Sequence, residues 1–401
     1  MSRRARQIKA SHAGLLFDGP VPMAASANTR LDAIVVPAAR PASELQSVIN
    51  LSAELRVPLV ILCSRSAQVA QVVRRVNAKF RAQALVIGIP DDYRPPCPAP
   101  QTSAEKFRQA SAGRVSDLSA KRNIGLLLGR LCGWNKILFV DDDIRQLKAR
   151  DVQRLNVYLD RHPVASMASW DFPDNSVVCH ARRLVSAQDV FVSGAVLGVD
   201  LQRPELSFFA DIYNEDWFFF ARHAARRAIP KIGEVRQLEY DPFADPDRAA
   251  REEFGDLLAE GLFAAFEVQP DATFEDQLRI AMQTSYWDYF KTVRLTTITD
   301  TLADVRAAKS SFDVTEYHRI ENSLETALKW ALSISPELCV EFIKCWQEDE
   351  ELWQKMLSNL PTNLSKQEAL SYLQLANWTS CGYGLPTESA EPGLETAGAV
   401  S

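Results

Sequence analysis

The sequence has no long apolar run, no paired cysteines and no excess of basic charge, and each absence removes a class of function. Nothing approaches the roughly 18 consecutive apolar residues that a bilayer-spanning helix requires. The basic start, MSRRARQIKA, is not followed by an apolar segment of signal-peptide length, which predicts no secretory leader and a cytoplasmic location. A peripheral contact between that basic tail and a membrane surface stays open. The seven cysteines are odd in number and contain no CxxC pair. A structural zinc site and a disulfide framework are therefore not expected, and a reducing compartment is. A formal net charge of −6 argues against broad nucleic-acid binding, which needs a basic surface. GxGxxG, P-loop, HExxH and GxSxG patterns are also missing, against dehydrogenase, NTPase, zinc protease and α/β-hydrolase readings.

What is present is ordinary globular material. Of 401 residues 47% are hydrophobic and 24% charged, enough for a sizeable core, and the length fits two domains. Residues 1–30 read as a disordered basic tail. From Leu31 the apolar runs LDAIVVP, PLVILCS and ALVIGIP alternate with helical spacing over 42–56 and 66–80. Strand alternating with helix implies crossovers and a mainly parallel sheet flanked by helices. The segment from Asp91 to Ser103, with four prolines, reads as a mobile surface loop. A helix follows over 117–133, then a strand over 136–140, a glycine-interrupted strand over 191–200 and helices over 213–227 and 246–267. From about residue 272 the pattern is helical, with breaks expected near 296–300, 312–314, 335–336 and 361. Residues 380–401 read as a disordered tail.

Three constellations carry chemistry. The strand Lys136–Val140 runs directly into Asp141, Asp142 and Asp143, and open α/β sheets bind ligands just beyond the carboxyl ends of their strands. Three adjacent anions need a positive partner, and hard divalent cations bridge carboxylates to substrate phosphates. Upstream, Lys121, Arg122 and Asn123 are read at the start of a helix, where cations oppose the dipole and so suggest an anionic partner. Third, Glu215-Asp216 sits among aromatic residues; a carboxylate that loses solvation there rises in pKa and suits proton abstraction. A pair of acids serving a helix N-terminus is the plain alternative. His180 lies in the irregular stretch from Ser169 and is a metal-ligand candidate, with packing an equal reading. The run from Glu239 into the next helix reads as a lid or an acidic connector.

In this order the motifs resemble the GT-A glycosyltransferases, most like the family 2 type, over residues 31–240: SAKRNIGLLLGRLCGWNKILFVDDDI matches their ARN helix, strand and DxD motif, and FVSGAVLGVD with YNEDWFFF matches their glycine segment and ED motif. The resemblance implies a GT-A (Rossmann-like) domain over 31–270, an all-helical C-terminal domain over 271–379, and hexosyl transfer from a nucleoside-diphosphate sugar to an acceptor hydroxyl. It places Pro37, Ala38, Arg40, Ser64, Arg65, Lys121, Arg122, Asn123, Asp141 and Asp142 at the donor. Asp141 and Asp143 would serve Mn²⁺ or Mg²⁺, and His180 joins them as a metal-ligand candidate from the residue reading alone. Asp216 would be the general base of an inverting reaction with Glu215 beside it, and Gly194, Trp217 and Trp170 would face the acceptor. The family often has an acid after its second strand that touches the nucleotide base; here Ser64-Arg65 stand there. The competing readings are a nucleotidyltransferase, which would usually open with a glycine-rich loop that AARPAS lacks, and a non-catalytic scaffold with a GT-A-like domain. The C-terminal helices read as a bundle with an acidic face, with homodimerisation left open.

Overall fold

The run Ala33–Ala38 is buried at every position, the mark of a strand covered on both faces. The computed structural model describes residues 15–17, 30–169, 176–186, 191–384, 386 and 388–389. In chain order the first half contains β1 (Leu16–Phe17), β2 (Ala33–Ala38), α1 (Gln46–Leu55), β3 (Leu59–Cys63), α2 (Val69–Asn77), β4 (Gln83–Gly88), α3 (Glu105–Ala110), α4 (Leu118–Leu131), β5 (Lys136–Val140), β6 (Ile144–Arg145), α5 (Ala149–Tyr158), β7 (Val164–Ser169) and α6 (Val177–Val185). The rest contains β8 (Val196–Asp200), α7 (Glu215–Ala225), β9 (Ile229–Gln237), α8 (Asp247–Val268), α9 (Phe274–Ala281), α10 (Thr284–Ala307), α11 (Val314–Ser333), α12 (Pro336–Asn359), α13 (Lys366–Tyr372), β10 (Trp378–Gly382) and β11 (Glu388–Ser389).

The protein is α/β. Its strands follow the order β1-β9-β7-β8-β5-β2-β3-β4-β10-β11, with β6 paired to β9 off that path. The sheet is mixed rather than mainly parallel. Among the described residues five strand pairings are parallel and five antiparallel. The parallel block β5-β2-β3-β4 is the one that the alternating strand and helix pattern predicts. β8 breaks it by entering antiparallel between β5 and β7. This insertion matters for the site. Val196, the first residue of β8, pairs with Val140, the last of β5, so the glycine segment before β8 arrives where the acidic run begins. The amide of Asp141 donates to the Ala195 carbonyl at 2.9 Å.

The C-terminal helices share an apolar core with the sheet. One apolar cluster runs from Val35 and Phe139 in the sheet through Phe218 and Phe254 to Phe342, Trp346 and Leu370. The ring of Phe342 meets those of Phe107, Phe218 and Phe254 with centroids 5.0, 5.5 and 5.8 Å away. Edge contacts of this kind are favourable for aromatic quadrupoles. The expected mobile loop is tied to the same helices. Asp349 accepts hydrogen bonds from the amides of Gln101 and Thr102 (2.7 and 2.9 Å), and the Tyr93 hydroxyl donates to the Leu373 carbonyl at 2.9 Å.

Three further expectations are corrected. α10 passes unbroken through 296–300. Its threonine hydroxyls bond to carbonyls four residues back, and buried Ile298 and Leu302 hold the helix down. Residues 378–382 form β10, paired antiparallel with Gln83–Ile87 of β4, so the C-terminal segment covers that strand's edge. Leu16–Phe17, within the stretch read as a disordered tail, pair with β9.

α8 and α10 are joined by a buried ion network. Arg294 bonds both oxygens of Glu253 at 2.8 Å, Asp256 at 2.8 Å and Glu260 at 2.7 Å. Removing one partner of a buried network strands the other charges. Arg294→Met is therefore expected to destabilise the protein by about 3–5 kcal/mol in urea denaturation. A loss below ~1 kcal/mol would show that these carboxylates are already neutral in the folded chain.

Candidate functional site

Parallel strands β2, β3 and β5 end at one rim, and β9 ends there too, because it runs parallel to β7 and β7 runs opposite to β8. That topology gathers residues far apart in sequence: Ala38–Arg40, Ser64, Asp141–Asp143, Gly194 and Gln237. α7 starts at the same rim. Asn214 precedes it in the left-handed region (φ 62°), which asparagine tolerates, and its amide donates to Asp256 at 2.8 Å. Gly255 lets α8 approach this turn: a Cβ there would lie 2.4 Å from the Tyr213 carbonyl oxygen. The turn thus sets Glu215 and Asp216 at the rim.

The guanidinium of Arg122 is at the centre. Its side chain is 2% exposed. It contacts Asp141 at 3.0 and 3.1 Å through Nη2, and Nη1 donates to Glu215. The face of the Phe209 ring lies 5.4 Å away. Burial works against the cation, but Asp141, Glu215 and Asp216 together hold its pKa above the ordinary value. Gly194 has a steric reason: a Cβ there would stand 2.6–2.9 Å from the guanidinium atoms.

The carboxylates have distinct environments. Burial raises Asp141 to about 7, with Arg122 opposing. Asp216 is pushed up to about 6 by burial and by Glu215. It accepts hydrogen bonds from the amides of Gly194 and of Trp217, the latter at 3.0 Å. Asp142 receives the Ala39 and Arg40 amides at 2.7 and 2.8 Å and the Arg40 side chain. Asp143 meets Arg40 at 2.8 Å and the Gln237 amide at 3.0 Å, while its other oxygen, Oδ1, is buried with no hydrogen-bond partner among the described residues.

Lys121 and Arg122 do not line the first turn of α4. The helix begins at Leu118, so they lie in its second turn and point into the protein. The Lys121 ammonium bonds the Ala38 carbonyl (2.8 Å), Ser64 Oγ (2.6 Å) and Asp117 (3.0 Å). Burial lowers its pKa, and Asp117 counters. Asn123 grips the Phe209 backbone in both directions at 2.8 Å, a structural latch. Pro37 and Ala38 end β2, buried. Arg65 is exposed and donates to the Val115 carbonyl at 3.3 Å. Trp217 is a core residue: 3% exposed, its ring is stacked on Phe191 and set against Phe263. Trp170 lies outside the described residues.

The metal-ligand set Asp141, Asp143 and His180 is not assembled. Among the described residues no group of three His, Cys, Asp or Glu converges as a cation cage. His180 Nε2 is 3.0 Å from the Tyr240 hydroxyl, and Arg248 donates to that hydroxyl at 2.9 Å. Asp141 is taken up by Arg122. The fit that remains is narrower: the partnerless Oδ1 of Asp143 is one protein ligand. A divalent cation held mainly by substrate phosphates and water requires no more than one or two such carboxylates.

Two site residues escaped the sequence reading. Asp117 was legible only as a helix cap, yet its side chain makes no cap bond. It accepts from Ser64 Oγ, just past the end of β3, and so sets a carboxylate beside that strand end. Burial tends to raise its pKa, but Ser64 and Lys121 hold it below the usual value. Gln237 gave no signal, because only the strand order brings it to Asp143.

No protein-family model matches the chain, and no curated protein is significantly similar to it in sequence. The rim's own geometry therefore bears the functional argument. Arg122→Met is expected to leave Asp141 and Glu215 uncompensated and to cost about 3 kcal/mol near pH 8. Buried acids without their cation hold protons more tightly. The deficit in Tm should therefore shrink as pH falls to about 5, where protonation removes the stranded charge. A deficit that is the same at both pH values would show that Arg122 acts by packing alone.

Proposed function

We propose that the chain is a glycosyltransferase of the GT-A kind, moving a sugar from a nucleoside-diphosphate donor to an acceptor hydroxyl with the help of Mn²⁺ or Mg²⁺. The observation that carries this reading is one buried guanidinium tying the acidic run after β5 to the Glu215-Asp216 pair. Donor-side and acceptor-side carboxylates of the resemblance thereby share one rim.

Ala38–Arg40, Ser64 and Asp117 surround the position for the nucleotide. Asp117, already carrying a hydrogen bond from Ser64, stands in for the missing acid as a contact for the base. Asp143 would hold the cation through its free oxygen. Once bound, the cation offsets the charge that develops on the departing nucleoside diphosphate. Arg40 would keep its hold on the other oxygen of Asp143 and on Asp142. Asp216 has the properties of a general base: at about 6 its pKa leaves it ionised at neutral pH while keeping it more basic than a solvated aspartate. As the acceptor oxygen bonds to the anomeric carbon, the bond from that carbon to the diphosphate breaks and the hydroxyl proton passes to Asp216. Attack from the face opposite the leaving group inverts the anomeric centre.

Three measurements test this with a panel of nucleoside-diphosphate sugars. Asp143→Ala should keep a normal melting curve and lose Mn²⁺-dependent donor turnover; unchanged turnover would remove the metal role. Asp216→Asn should lower kcat by roughly 10²–10⁴-fold. In the unaltered protein kcat/KM should rise with pH through about 6, as Asp216 loses its proton, and this acid limb should vanish in Asp216→Asn. Full-rate transfer by Asp216→Asn would refute the base assignment.

A further inference from the structure

The opposite rim of the sheet has a different character. Between Glu54 and Asp91 the sequence contains Arg56, Arg65, Arg74, Arg75, Lys79 and Arg81 and not one acidic residue, in a chain of net charge −6. All but Arg65 gather where α1 and α2 end and β3 and β4 begin, together with Arg30. Two open hollows lie there. One, of about 380 Å³, is lined by Arg30, Arg56 and Arg81; the other, of about 450 Å³, by Arg74, Arg75 and Lys79. Among the described residues no acid lines either hollow. Among the described residues none of these six cations has a carboxylate within ion-pair distance. Arg30 spends a hydrogen bond on the Arg56 carbonyl (2.7 Å) and Arg75 one on Gln46 (3.1 Å). The dipole at the end of α2 accounts for one or two cations, not for Arg30, Arg56 and Arg81 around the neighbouring hollow.

Aromatic residues accompany the charge. Phe80 is 58% and Tyr383 51% exposed. Their rings meet edge to face with centroids 5.3 Å apart, and the Arg81 guanidinium lies 4.8 Å from the Phe80 ring. Two exposed rings beside unpaired cations are wasteful on a surface that meets only water. At a lipid headgroup layer the rings occupy the interface and the cations face anionic phosphates.

We propose that this rim, formed by the ends of α1 and α2 and the starts of β3 and β4, docks the protein on an anionic lipid bilayer. Cations near such a surface act additively and within a Debye length. Seated in this way, the protein turns its carboxylate rim away from the lipid and toward solution, because the two rims are opposite ends of the same strands. The docking surface does not depend on the glycosyltransferase reading, and its test does not use activity.

The experiment is co-flotation of the full chain with vesicles of phosphatidylcholine, with and without phosphatidylglycerol. Binding is expected only with the anionic lipid at about 0.05 M salt and should be largely lost at about 0.5 M. Arg74→Glu/Arg75→Glu/Lys79→Glu, checked for an unchanged melting curve, should weaken partition by about ten-fold or more. Arg56→Glu/Arg81→Glu should act in the same direction and guards against misfolding of the triple variant. Reversing Arg3, Arg4 and Arg6 in the basic tail should have the smaller effect. The proposal is overturned if the unaltered protein fails to float with anionic vesicles, if both rim variants float as well as it does, or if polyuridylate binds it more tightly than the vesicles do.

Discussion

The burial of Arg122 is the constraint on which the rest of the rim depends. A guanidinium removed from water is tolerable only if anions surround it, and Asp141 and Glu215 do so from two sides. In exchange it fixes where those anions can be. It ties the end of β5 to the start of α7, forbids a side chain at Gly194 and gives Asp216 a positive neighbour. The site is thus held by charge at its centre and by aromatic packing around it, with Phe209 stacked on Phe219 at 4.2 Å and edge-on to Phe139 at 5.6 Å.

That centre explains the mixed sheet. A purely parallel block would bring β2, β3 and β5 to the rim but leave the glycine segment elsewhere. Antiparallel β8 delivers it beside Val140, and β9 then places Gln237 against Asp143. The C-terminal helices close the arrangement from outside. α8 supports the Asn214 turn, and α12 packs under α7 through Phe342 and Trp346. Helices of the C-terminal region thus pack directly against the elements that carry Glu215 and Asp216.

On the proposed reading the two rims divide the work. The carboxylate rim meets small molecules through buried, individually tuned groups, whose pKa values shift because water is excluded. The basic rim meets an extended surface through cations that have no carboxylate partner among the described residues, whose effect comes from number rather than precision of placement. Such a division costs the fold little, since the ends of parallel strands are already the places where loops are free to vary.

Much of this was legible in the chain. The β-branched runs, the helical spacing and the DDD run at a strand end named the parallel block and located the site at its rim, because local periodicity and strand polarity are properties of sequence alone. The Glu215-Asp216 pair was legible as a carboxylate in an apolar setting, and burial does raise Asp216. Tertiary structure alone decided the partners. That Lys121 and Arg122 turn inward, that Asp117 meets Ser64 after β3, that Trp217 belongs to the core, and that residues 378–382 pair with β4 all depend on which elements become neighbours. Hydrogen bonds and ion pairs act over a few ångströms in space, across separations such as the 93 residues between Arg122 and Glu215, and no local pattern encodes such a distance.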